Sequence, residues 1–139
     1  TLYYVGDNTS YKNPQIAKAT ATILDKIGVE FMLLDKEQND GNVMFSIGMV
    51  DAARKIAKEN VEAIKATGAK RVVVSDAEAY RMIKVDYPKL LDIATADLGF
   101  EVVHILELAG NRRRYSCTHN SGRYKNGLSR CFFRIKTVR

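Results

Sequence analysis

Three aspartates stand where an apolar run gives way to a polar turn: Asp7 in VGDNTSYKNP, Asp40 in EQNDGN and Asp76 in VVVSDAEAY. Thirty-one residues separate Asp7 from the pair Asn39-Asp40, thirty-five lie between Asp40 and Asp76, and Ala79 follows three positions later. Carboxylates repeated in this way offer hard oxygen ligands. Asp7, Asp40 and Asp76, helped by the Asn39 amide, therefore form a candidate site for Mg²⁺ or Ca²⁺. Each aspartate also has a plainer use. Asp40-Gly41 is a turn pair, Asp76 falls in a first helical turn where the macrodipole favours negative charge, and Asp7 can bond nearby amides.

Which use applies depends on the elements that carry these residues. LYYV at residues 2–5 reads as a strand, closed by Gly6. Asn13-Pro14 opens a helix whose apolar positions Ile16, Ala19, Ile23, Leu24 and Ile27 recur at helical spacing, with Gly28 as its stop. VEFMLL at 29–34 reads as a second strand. A second helix is expected from about residue 46 or 48 to Thr67, with Val50, Ala53, Ile56, Ala57, Val61 and Ile64 facing inward. RVVV at 71–74 is a third strand of the doubly buried kind. Ser75 and Glu78 form a capping box for a third helix, expected to break near Pro88, and FEVVHIL at 100–106 is a fourth strand.

Alternation of strands and helices implies right-handed crossovers and a parallel sheet. The expected fold is α/β, a Rossmann-like or flavodoxin-like three-layer domain with a four-stranded parallel sheet in the order 2-1-3-4. Ligands of such sheets bind where the strand order reverses. Asp7 and Asp76 both fall at that crevice.

The chain has 139 residues and a net charge of +6. This charge is concentrated at one end: residues 111–139 hold seven Arg, two Lys and no acid, leaving 13 basic and 16 acidic residues in 1–110. The division is therefore a 1–110 α/β domain and a 111–139 basic tail, irregular or accessory. No apolar run reaches the ~20 residues of a membrane span, and no signal-peptide profile opens the chain. Its Thr1 start suits a processed chain or a segment of a longer one. Cys117 and Cys131 both lie in the tail, so no disulfide framework is indicated and a cytoplasmic location is expected.

Together the motifs and their flanks resemble the cysteine-rich CCG domain of heterodisulfide reductase subunits of the B or D type and of related iron–sulfur oxidoreductases. YYVGDNTSYKNPQIAKATATIL is similar to the first motif of that family, EQNDG to its double-cysteine motif, and AKRVVVSDAEAYRMIKVDYPKLL to its third; the likeness runs through FEVVHILEL. The resemblance implies an oxidoreductase of electron-transfer complexes, with other subunits or repeats as partners and a [4Fe-4S]-type cluster held by five cysteines. At those cofactor positions this chain carries Asp7, Asn39, Asp40, Asp76 and Ala79. Clusters are held by soft thiolates, so none is expected here.

Other chemistries are weaker on the residues. Acids after the first and third strands echo a phosphoacceptor receiver domain, with Asp76 as acceptor, but no fifth strand followed by lysine is found. Asn8-Thr9-Ser10 ahead of a helix offers a place for a flavin or nucleotide phosphate, without the glycines such loops use. His104 reads as a structural strand residue, and Met32, Met44, Met49 and Met82 as core or edge filler. In the tail, Arg among Tyr115, Tyr124, Phe132 and Phe133 suits single-stranded nucleic acid, while Cys117, His119 and Cys131 make an incomplete zinc set. The sequence thus points to a cluster-free CCG domain with a scaffold or docking role and no catalysis of its own. A cation-binding domain and a nucleic-acid binder remain the alternatives.

Overall fold

A computed structural model describes residues 1–112. Three short strands, β1 (Leu2–Tyr4), β2 (Arg71–Val74) and β3 (Glu101–His104), form a parallel sheet in that order. Leu2 pairs with Val72, and Val72 with Val102, so the three strands share one register. Alternate side chains serve opposite faces, as a pleated strand requires. Leu2, Tyr4, Val72, Val74 and Val102 join one core cluster, while Tyr3, Val73 and Val103 join another.

The first face is covered by α3 (Val50–Ala66) and by a nearly continuous helical run. That run comprises α4 (Ala77–Arg81), a π-helical turn (Met82–Asp86) and α5 (Tyr87–Leu91). Ala53, Ala57, Val61 and Ile64 of α3 are buried there, as the periodicity predicts, whereas Val50, expected on the same stripe, is exposed at the helix's first residue. On the opposite face lie α1 (Pro14–Lys26) and α6 (Ile105–Arg112), through Leu24, Ile105 and Leu108. Ile16 and Ala19, expected on the inner stripe of α1, are exposed, and Thr20 is buried in their stead. A short α2 (Asn42–Ser46) precedes α3.

The four-stranded sheet expected from the sequence is corrected to three strands. Residues 29–34 run beside the free edge of β1, where the pattern predicts a second strand, but contribute a single parallel bridge between Met32 and Leu2. Two backbone bonds hold it: Tyr3 N donates to Met32 O at 2.8 Å and Met32 N to Thr1 O at 3.0 Å. The next bonds of a parallel ladder would run from Leu34 N to Tyr3 O, which does not form, and then to Leu34 O from the amide of Val5. That amide donates to the Glu37 carboxylate at 2.9 Å instead. The ladder thus stops short of Leu34, and a side chain takes the amide that would have carried it further.

Two further expectations change at element ends. The cap of α4 is Asp76, whose carboxylate accepts from Glu78 N, and Ser75 instead bonds the buried Tyr3 hydroxyl at 2.9 Å. Pro88 does not break the helical run. It sits in the first turn of α5, where a missing N–H costs least, just after the π-helical turn. The fourth-strand pattern at 100–106 is cut short because the chain turns into α6 at Ile105.

Candidate functional site

All three motifs meet at the carboxyl ends of β1 and β2. Gly6, with φ of +77°, turns the chain out of β1 at a conformation side chains rarely adopt. A Cβ built on it would lie 3.7 Å from the Cβ of Ala79 and 3.9 Å from the Oδ2 of Asp76. The start of α4 therefore packs directly on the end of β1. Asp7 follows on the exposed side, at the head of a π-helical turn, Asn8–Lys12. Ala79 is fully buried.

The double position Asn39-Asp40 is fastened from below. Three successive carbonyls, those of Gln38, Asn39 and Asp40, accept from Tyr4 Oη at 2.6 Å, Asn60 Nδ2 at 2.8 Å and Tyr87 Oη at 2.9 Å. Asn60 also donates to the Tyr87 hydroxyl at 2.8 Å. From above, Asn39 Oδ1 accepts from Gly41 N and Asp40 Oδ1 from Asn42 N, each at 2.9 Å. Asn42 Nδ2 reaches Glu78 Oε2 at 3.4 Å, tying this loop to the first turn of α4.

Electrostatics agree with the gathering. Burial pushes the Asp40 carboxyl above its ordinary range, the Asn42 amide works against that shift, and the charges of Asp7, Asp76 and Glu78 add to it. Glu37 is raised for the same first reason, burial, although the amides of Val5 and Gly6 pull it down; Asp7 adds a smaller upward push. Burial likewise raises the Tyr4 and Tyr87 phenols, so both remain neutral donors at any physiological pH.

The structure places Asp7, Asn39, Asp40, Asp76 and Ala79 near the exits of β1 and β2. It adds Glu37, Tyr4, Asn60, Tyr87 and Glu78, which the sequence reading missed. Asn60 carried a legible signal, since it is a polar residue on the buried stripe of α3. Glu37 carried none, because its role depends on where β1 ends. Among the described residues, no three His, Cys, Asp or Glu side chains are grouped closely enough to hold a metal ion. The crowding felt by Asp40 is one of shared surroundings, not of a common centre.

His104 has a local use. Its Nδ1 accepts from Leu106 N at 3.3 Å at the head of α6, and its ring meets Tyr80 edge-on. Tyr80 bonds Glu107, and that bond holds the Glu107 carboxyl below its usual range. The tail readings, with Cys117, His119 and Cys131, lie outside the described residues.

A parallel sheet with three spaced motifs converging on the exit of its first strand defines a recognisable class. The chain belongs to the family described as the CCG cysteine-rich domain, whose model matches residues 2–84, more than half its length. Over 110 residues it is 42% identical to the D-type subunit of the dihydromethanophenazine:CoB–CoM heterodisulfide reductase of Methanosarcina acetivorans, covering 76% of this chain and 26% of that protein. It is 32% identical over 103 residues to a probable iron–sulfur-binding oxidoreductase, FadF, of Bacillus subtilis, covering 72% and 14% of the two chains. The C-type subunit of the anaerobic glycerol-3-phosphate dehydrogenase of Escherichia coli K12 is 31% identical over 94 residues, covering 66% and 24%. The chain spans about a quarter of the length of the heterodisulfide reductase subunits it resembles. No solved structure matches it.

An iron–sulfur cluster, the group this family implies, does not fit the residues present. The five positions offer carboxylate and amide oxygens and one methyl group, with no sulfur among residues 1–110 except the methionine thioethers. Cluster irons are held by cysteine thiolates, with histidine in place of some of them in certain centres, and neither residue stands at any of the five positions.

No described helix is long and apolar enough to cross a membrane.

Proposed function

We propose that this chain is a cluster-free CCG domain of a heterodisulfide-reductase-like iron–sulfur oxidoreductase, serving as a docking or scaffold module in an electron-transfer complex. The observation that carries this reading is the pairing of a family match over residues 2–84 with a donor set that contains no thiolate.

Two features favour docking. The relatives named as subunits are about four times as long as the matched segment, which suits a module that works beside further domains. Next to the crevice, residues 41–50 carry no charge, and Val43, Ile47, Met49 and Val50 are exposed. Apolar side chains grouped on a surface commonly mark a contact with another protein. The partner of choice is a cysteine-bearing subunit of the same kind.

The test is anaerobic co-expression of the chain with the Methanosarcina acetivorans protein, followed by affinity capture and iron and sulfide analysis. A stable complex whose iron resides in the partner is expected. About four irons on the isolated chain, with broad absorbance near 400 nm, would overturn the cluster-free part, and absence of a complex would overturn the docking part.

A further inference from the structure

The replacements at the five cofactor positions are not chemically arbitrary. Asn39, Asp40 and Asp76 all make the same bond: a short side-chain oxygen accepts the amide two residues ahead, of Gly41, Asn42 and Glu78, at 2.9, 2.9 and 3.2 Å. Such bonds close a turn or cap a helix without outside help. A cysteine sulfur is a poor acceptor and leaves those amides weakly satisfied unless a metal fixes the loop by other means. At the fifth position Ala79 contributes a methyl group with no exposure, beside Gly6.

The residue types also argue against unselected loss. Single base changes convert cysteine to Ser, Gly, Arg, Tyr, Phe or Trp. Asp, Asn and Ala all need more than one, yet only these types fill the five positions.

We propose that Asn39, Asp40, Asp76 and Ala79 are a structural substitute for the cofactor: a set of side-chain brackets that holds the second and third motif loops against the end of β1 without any metal. This rests on the reading of the chain as a cluster-free CCG domain and adds how the crevice keeps its shape. Asn39 and Asp40 bracket the second motif, Asp76 the third, and Ala79 closes the gap toward the end of β1. The three carbonyl bonds from Tyr4, Asn60 and Tyr87 fix the second loop from its other side.

Thermal melts of the full chain, with and without EDTA, test this. Wild type is expected to melt cooperatively at a temperature EDTA does not change. Asn39→Ala, Asp40→Ala and Asp76→Ala are each expected to lower Tm by about 3–6 °C, the usual scale for losing a cap in a domain of this size. Asp76→Ser, which restores an acceptor without charge, is expected to recover most of that loss. The fivefold cysteine variant is expected to melt below wild type unless reconstituted with iron and sulfide. An EDTA-sensitive wild type, alanine variants within about 1 °C of it, or an Asp76→Ser no better than Asp76→Ala would each overturn the proposal. If Asp76→Ala does not fold, a folded Asp76→Ser supports the bracket and an unfolded one refutes it. A metal-independent fold that captures no partner subunit would defeat the docking reading and leave the brackets standing.

Discussion

Glu37 offers the sharpest test of how the crevice is built. Its carboxylate accepts from Val5 N at 2.9 Å and Gly6 N at 2.7 Å, joining the loop before the second motif to the exit of β1. Hydrogen bonds to a charged acceptor contribute about 1.5–3 kcal/mol each. Against these stands the cost of burying the charge, which is large enough to raise the carboxyl above its ordinary value despite both amides. Because burial outweighs both amides, the loss in Glu37→Ala comes from leaving two part-buried N–H groups without an acceptor, about 2–3 kcal/mol in all, a fall in Tm of about 8–12 °C for a domain of this size. Glu37→Gln is expected to recover little. One oxygen still accepts, but the amide nitrogen then faces a second N–H donor. The pH dependence has a definite sign. Because the folded carboxyl has a raised pKa, the fold binds a proton more tightly than the unfolded chain. The associated stability is full below the ordinary carboxylate range, and is lost as pH rises through the raised value. Wild type should therefore gain more, or lose less, than Glu37→Ala as pH falls from about 7 to about 5. Urea and thermal melts of the three proteins provide the measurement. If both variants lie within about 0.5 kcal/mol of wild type, the loop is not held by this side chain.

Asp40→Asn keeps an acceptor for the Asn42 amide and removes a carboxylate that burial, Asp7, Asp76 and Glu78 all disfavour. A gain of about 0.5–1 kcal/mol at pH 7, disappearing once wild-type Asp40 is protonated, is expected in paired melts. Tyr87→Phe strips a donor from the Asp40 carbonyl and an acceptor from Asn60, so chemical denaturation should show a loss of about 1–3 kcal/mol. Ile47→Glu, at an exposed position, should leave Tm nearly unchanged and weaken capture of the partner subunit. Millimolar Mg²⁺ or Ca²⁺ should not raise Tm, because no described trio of ligands shares a centre; a rise abolished by Asp7→Asn with Asp76→Asn would establish the cation site instead.

Much of this was legible in the sequence where local signals and tertiary demands coincide. RVVV could only be a buried strand, and the stripe from Ala53 to Ile64 could only face a core. The convergence of Asp7, Asp40 and Asp76 followed from placing them after consecutive crossover strands. VEFMLL, by contrast, has the composition of a strand, but its pairing stops at Met32, and a carboxylate from beyond its own end takes the Val5 amide. The exposure of Ile16 and Ala19 was hidden because periodicity gives a stripe without saying how much of it the neighbours cover. Ser75 and Asp76 were both competent caps, and the choice between them was made by Tyr3, whose buried hydroxyl needed a partner.

The outer margin of the sheet has a consequence for self-association. A strand with unpaired amides along its flank is a template on which another chain can add. Here that flank is shielded by an apolar ribbon fastened by two backbone bonds, with the exposed Glu30 inside it and the Glu37 carboxylate just past its far end. Inward-pointing or flanking charge is a common guard against such stacking. Peeling the ribbon away would uncover Leu2 and Tyr3 together with a run of five apolar residues in six, the composition from which aggregates grow. The carboxylate that braces the exit of β1 therefore also sets charge at the margin where another chain would add.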